Sequence, residues 1–142
     1  MERKKILLVE DDELDVISVE RSLKKFQIDV ELKTAYNGIE ALSLLQNKDN
    51  NEHYMPDVIL LDMNMPKMNG YEFLKELRSK KEFSDIKIFV MTTSNESADR
   101  IKMEDLGISG FLIKPMMFNE NTKHQSSMDA FMHFHLSKIF LA

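Results

Sequence analysis

Val58-Ile59-Leu60-Leu61-Asp62-Met63-Asn64-Met65-Pro66 decides how the rest of this chain is read. Apolar residues run without alternation, then comes one carboxylate, then a turn that ends at proline. A continuous apolar run of this length fits a strand covered on both faces, as in the middle of a parallel sheet. The strand would deliver Asp62 into a loop, a common way to present a reactive group. Alone, an Asp in this place is ordinarily a turn or cap residue. Three other strand ends change that reading. Glu10-Asp11-Asp12 follows Ile6-Leu7-Leu8-Val9, Thr92 follows Ile88-Phe89-Val90-Met91, and Lys114-Pro115 follows Phe111-Leu112-Ile113.

Working outward, Val30-Glu31-Leu32-Lys33-Thr34 alternates and suits an edge strand, and Ser109 to Ile113 is a fifth short strand. Helical spacing fills the gaps. Val16, Val19, Leu23 and Phe26 form one apolar row, Ile39, Leu42 and Leu45 a second, and Phe73, Leu74 and Leu77 a third. Glu96 to Leu106 is weaker, with Ala98, Ile101 and Asp105 along one row, and is expected to be loosely held. Met128, Phe131, Met132, His135, Leu136 and Ile139 form a fifth stripe. Five strands alternating with five helices predict a doubly wound α/β fold with right-handed crossovers. Ligands of such sheets sit outside the carboxyl ends of the strands, where all four polar sites fall. Gln46 to Tyr54 reads as an extended surface loop rather than a linker. Residues 1–142 are expected to be a single domain with no separate effector domain.

The bulk numbers narrow the function. The chain has 142 residues, 43% hydrophobic and 30% charged, an ordinary balance for one globular domain. The formal net charge is −5 and no basic stripe appears, which argues against nucleic-acid binding. Cysteine is absent, so disulfides, thiol catalysis and Cys-based zinc sites are excluded. The charged start Met1-Glu2-Arg3-Lys4-Lys5 leads into too short an apolar run for a signal peptide or a membrane span. The expected location is the cytoplasm, with no membrane partner.

Glu10, Asp11, Asp12 and Asp62 would crowd carboxylates into one crevice, which like charges resist unless a cation intervenes. Oxygen ligands of this kind suit Mg²⁺. Asp12 is the expected cap of the first helix, and Asp11 with Asp62 favours metal. A carboxylate beside Mg²⁺ can attack a phosphoryl group and form an aspartyl phosphate. Such transfer needs in-line positioning and positive charge on the phosphoryl oxygens. Lys114 can supply an ammonium and Thr92 a hydroxyl, though each alone would be an ordinary surface lysine or strand-end hydroxyl. Pro115 keeps Lys114 out of helical geometry and is a candidate cis-proline.

At this point the chain resembles the receiver domain of two-component response regulators. The segments that carry the resemblance are Lys5 to Asp12, Pro56 to Gly70, Val90-Met91-Thr92-Thr93-Ser94 and Gly107 to Pro115. Thr92 and Lys114 stand 30 and 52 residues beyond Asp62 (92 − 62; 114 − 62), as in compact members. The resemblance implies a flavodoxin-like fold with strand order 2-1-3-4-5. It implies Asp62 as phospho-acceptor, charged from a phosphohistidine on a sensor histidine kinase or histidine phosphotransfer protein. Glu10, Asp11, Asp62 and the Asn64 carbonyl would hold Mg²⁺, while Thr92 and Lys114 would bind phosphoryl oxygens. Thr92 and Phe111 would form the switch, read on the face of helix 4, strand 5 and helix 5, where a homodimer could also form. Such a protein is phosphorylated and slowly self-dephosphorylates, and is not classed as an enzyme.

The departures are specific. Phe111 stands where many members have Tyr, the 46–54 loop is long, and Met116 to Thr122 lacks the usual acidic helix start. The long loop resembles single-domain regulators that work beside phytochrome-like sensor kinases. Two alternative functions stay in view. A Mg²⁺-dependent aspartyl-phosphate phosphatase would want a second Asp two residues after the nucleophile, where this chain has Asn64. A phosphorylation-independent scaffold would not need the retained Asp62, Glu10, Asp11, Thr92 and Lys114. His53, His124, His133 and His135 are read as packing or surface residues rather than ligands. Met63, Met65 and Met68 are mostly core filling, with Met65 and Met68 flanking the acceptor loop.

Overall fold

The computed structural model describes residues 3–25, 27–46, 54–92 and 97–113. Their order is β1 (Lys4–Val9), α1 (Glu13–Lys25), β2 (Val30–Ala35), α2 (Gly38–Gln46), β3 (Val58–Asp62), α3 (Gly70–Arg78), a 3-10 turn (Lys81–Phe83), β4 (Lys87–Thr92), α4 (Ser97–Glu104) and β5 (Gly110–Ile113). The five strands form one parallel sheet in the order β2-β1-β3-β4-β5. The alternating segment is an edge strand, and the continuous apolar runs of β1, β3 and β4 lie inside the sheet, as their patterning requires. Four α-helices are present among the described residues. The expected fifth helix, Met128 to Ile139, lies outside them, as does Phe26.

The sheet divides the interior into two cores. On one face α1 packs Val16, Val19 and Leu23 with Ile6, Leu8, Val58 and Leu60. On the other, α2, α3 and α4 bring Ala41, Leu45, Phe73, Leu74, Leu77 and Met103 against Leu7, Val9, Ile59, Leu61 and Val90. Burying each of the larger of these side chains contributes about 1.5–3 kcal/mol. Two expected rows are corrected here. In α2, Leu45 is buried and Leu42 packs against the core as the spacing predicts, but Ile39 is half exposed and Gly38 and Ala41 face inward in its place. In α4 the anchor is Met103, fully buried, and Ile101 points outward.

The helices begin where local chemistry starts them. Asp12 Oδ1 accepts the Leu14 N–H at 2.9 Å, and Glu13 and Asp15 occupy the first turn of α1 while Lys24 and Lys25 occupy the last. Asn37 Oδ1 accepts the Glu40 N–H at 2.9 Å at the start of α2. Asn69 and Glu72 form a reciprocal capping box on α3. All three starts lie at the C-terminal edge of the sheet, so each helix sends its backbone N–H groups toward the rim that carries the carboxylates.

Candidate functional site

Register alone sets the acids side by side. Val9 pairs with Leu61, so the next residues along the two strands are Glu10 and Asp62. Asp11 follows. One carboxylate oxygen from each of Glu10, Asp11 and Asp62 lies within 4.8 Å of the others. Glu10 is fully buried and Asp62 is 3% exposed, whereas Asp11 faces solvent. Three carboxylates at this spacing repel one another, and two of them have little water to screen them. Oxygen donors alone, with one solvent-facing side, fit a hard divalent cation that keeps some of its waters. Glu10 is held by the Asp12 N–H, which donates to its Oε1 at 3.1 Å. Asp12 therefore stands beside the cluster and caps α1 rather than joining it.

The neighbouring strand brings the hydroxyl. Asp62 pairs with Met91 and the Met63 N–H donates to the Met91 carbonyl at 3.1 Å, which leaves Thr92 next along the same rim. Thr92 is buried. Val90 pairs with Phe111, so Thr92, two residues past Val90, lies on the same face of the sheet as Phe111. Phe111 is half-buried against the α2–α4 core. Thr92 in turn pairs with Ile113, the last described residue of β5. Lys114 and Pro115 lie outside the described residues, as do Ser94 and all four histidines.

The loop after Asp62 is tightly specified. The Asn64 N–H approaches Asp62 Oδ1 at 3.4 Å, while the Asn64 side chain is exposed. Met68 N–H closes onto the Pro66 carbonyl at 2.7 Å, forcing Lys67 to φ 67° in a strained γ-turn. The Gly70 N–H donates to the Met63 carbonyl at 3.0 Å. A methyl on Gly70 would fall 2.5 Å from the Asp62 carbonyl oxygen, so only glycine lets α3 begin this close to the acceptor strand. Met65 is buried, and Met68 lies so close to Gly38 that a methyl there would meet its Cγ at 2.8 Å. The core-filling reading of these methionines holds.

Three contributors escaped the sequence reading. Gly70 was visible as half of an Asn-Gly pair, but its role depends on how closely α3 approaches β3. Lys67 carries no signal of its positive φ. Arg78, at the end of α3, donates every guanidinium N–H to a carbonyl: Nε to Leu106 at 3.0 Å, Nη1 to Phe83 and Ser84 at 2.8 and 3.2 Å, Nη2 to Ile86 and Gly107 at 3.0 and 2.8 Å. Its signal was its place four residues after Leu74, on the apolar face of the helix. Burial pulls its pKa down from the ordinary guanidinium value.

A rim of buried carboxylates beside a hydroxyl, on a 2-1-3-4-5 parallel sheet, can be compared with known proteins. The pattern of the response regulator receiver domain matches residues 6–125. This chain belongs to that family. Receivers of this family are phosphorylated on an aspartate in two-component signalling, and that is the function of this chain. The response regulator Rcp1 of Synechocystis sp. is 34% identical over 129 residues, covering 90% of this chain and 88% of Rcp1. The structure of Mn²⁺-bound Rcp1 aligns with a TM-score of 0.78 at 33% identity, over 92% of this chain and 93% of that one. A two-component response regulator from Legionella pneumophila aligns with a TM-score of 0.73 at 44% identity, over 81% of this receiver and 89% of that chain. The phosphorylated cyanobacterial phytochrome response regulator RcpA aligns with a TM-score of 0.78 at 28% identity, over 99% of this receiver and 96% of that chain. Among the described residues no helix of the receiver is long and apolar enough to cross a membrane.

Proposed function

We propose that Asp62 is the phospho-acceptor of this receiver and takes its phosphoryl group from a partner's phosphohistidine. The observation that carries the reading is the buried Asp62 carboxylate within 4.8 Å of Glu10 and Asp11 at the strand-end rim. An Asp62 oxygen attacks phosphorus in line; the P–N bond to the histidine breaks, and its electron pair stays on the imidazole nitrogen. Water later cleaves the acyl phosphate, releasing inorganic phosphate and restoring the carboxylate. The protein is consumed and regenerated as a substrate, so we do not class it as an enzyme.

The other residues have assignable work. Glu10, Asp11, Asp62 and the Asn64 carbonyl would hold Mg²⁺, a reading supported by the acid cluster and by the Mn²⁺-bound relative Rcp1. Bound there, the ion supplies positive charge against the phosphoryl oxygens and offsets the repulsion of the acids. The Thr92 hydroxyl donates to one phosphoryl oxygen and the Lys114 ammonium pairs with another. Drawing Thr92 inward frees space on the sheet face it shares with Phe111, and Phe111 follows it. That shift biases two conformations of the surface around α4 and β5. The partner is a sensor histidine kinase or histidine phosphotransfer protein, and the phytochrome regulators among its relatives favour a phytochrome-like kinase. We assign the exchange to the cytoplasm, where phosphohistidine is made from ATP. Self-association through α4, β5 and the final stripe is the corresponding output.

Intact-mass measurement after adding acetyl phosphate and Mg²⁺ tests the assignment. One added phosphoryl group is expected, lost in Asp62→Asn and absent when the metal is chelated. Label that persists in Asp62→Asn would move the site elsewhere.

A further inference from the structure

Arg78 lies at the end of the sheet opposite Asp62 and outside the chemistry described so far. Its five donors are shared between two segments distant in sequence. Phe83, Ser84 and Ile86 precede β4, which ends in Thr92; Leu106 and Gly107 follow α4 and precede β5, which carries Phe111. Arg78 is also the last residue of α3, whose first residue, Gly70, is bonded to the acceptor loop at Met63. A rigid helix of nine residues therefore joins the loop after Asp62 to a planar, five-donor fork that grips the lower ends of both switch strands. The same segment is tied again by the Ser109 N–H, which donates to the Ile88 carbonyl at 2.7 Å. Gly107, at φ 75°, turns the chain so that its carbonyl reaches the fork, a conformation that side-chain-bearing residues rarely adopt.

We infer that Arg78 is a positioning residue for the switch: it pins the lower ends of β4 and β5 and the C-terminal end of α4 to α3, so that phosphorylation moves only their upper ends. The inference rests on the phospho-acceptor reading of Asp62. It gives the small displacement at Thr92 and Phe111 a fixed point to turn about. Without one, the strands and α4 would shift as a body and the signal would be spread over the sheet. Lysine does not substitute, because one ammonium cannot reach two divergent sets of carbonyls.

Amide exchange by NMR on the full chain, with and without acetyl phosphate and Mg²⁺, reads this directly. In the wild type, phosphorylation should change protection by about tenfold or more at Met63 and Thr92, and by less than about twofold at Leu106, Gly107 and Ser109. In Arg78→Met and in Arg78→Lys the three lower amides should respond to phosphorylation as strongly as the upper ones. Intact mass on the same samples separates the two ideas. An unlabelled Asp62 sinks the reading of the site and the inference with it. A labelled Asp62 with equal response at both ends of the wild-type strands overturns the pinning alone, whether or not the variants fold. Full recovery of the wild-type pattern by lysine overturns the need for the fork.

Discussion

At Lys67 a residue with a side chain sits at φ 67°, a backbone state that costs about 1–3 kcal/mol. Lys67→Gly should therefore raise stability by about 0.5–1 kcal/mol after glycine's own entropic cost, read as a higher urea midpoint. A lower midpoint would mean the lysine side chain makes a compensating contact. Tyr54 poses the reverse case. It is 8% exposed, its hydroxyl has no partner among the described residues, and the Lys33 ammonium lies 4.5 Å from its ring centroid. Burial raises its pKa well above the ordinary 10.0, with Glu31 and Asp57 adding to the shift. The folded state holds the phenol neutral while the unfolded chain ionises near the ordinary value. That contribution is complete below pH 10 and falls away as pH rises toward the folded value. Tyr54→Phe should change stability by under about 1 kcal/mol at neutral pH and lose less between pH 9 and pH 11 than the wild type. Parallel profiles for the two proteins would refute the assignment. Neither residue announced itself in sequence. Positive φ at a lysine follows from loop closure, and an unpartnered hydroxyl depends on what surrounds it.

Elements were legible in proportion to how much apolar surface they bury. β1, β3 and β4 read clearly because each is covered on both faces, and α1 because Val16, Val19 and Leu23 repeat cleanly. α4 has only eight residues, and its row was misassigned: Ile101 is 60% exposed and Met103 is the buried anchor. Among its described side chains only Met103 is buried, and a short helix held in this way samples open states easily. Met103→Ala should cost about 2–4 kcal/mol by leaving a cavity under that contact. Thermal unfolding would measure it, and a cost below about 0.5 kcal/mol would show that other contacts carry the helix. The site was legible for a related reason. Glu10, Asp62 and Thr92 each end an apolar strand, so strand register brings them together without help from loops. Lys67, Gly70 and Arg78 act through loop and helix geometry, which spacing does not encode.

For the molecule as a whole, folding requires gathering three carboxylates at one rim. Their mutual repulsion opposes folding, and a bound cation offsets it. With chelator present, Asp62→Asn should stabilise the protein by about 1 kcal/mol through relief of repulsion. Millimolar Mg²⁺ should raise the melting temperature of the wild type and have little effect on Asp11→Asn. Equal shifts in both proteins would place the ion away from this cluster. The sheet order has a different kind of consequence. β1 is made first yet lies between β2 and β3, and its second neighbour is synthesised 52 residues later (Ile6 to Val58). At about 5–20 residues per second, translation takes roughly 3–10 s to deliver it. Throughout that interval the nascent chain carries an oily ribbon with at least one unzipped side, and only the arrival of β3 closes it.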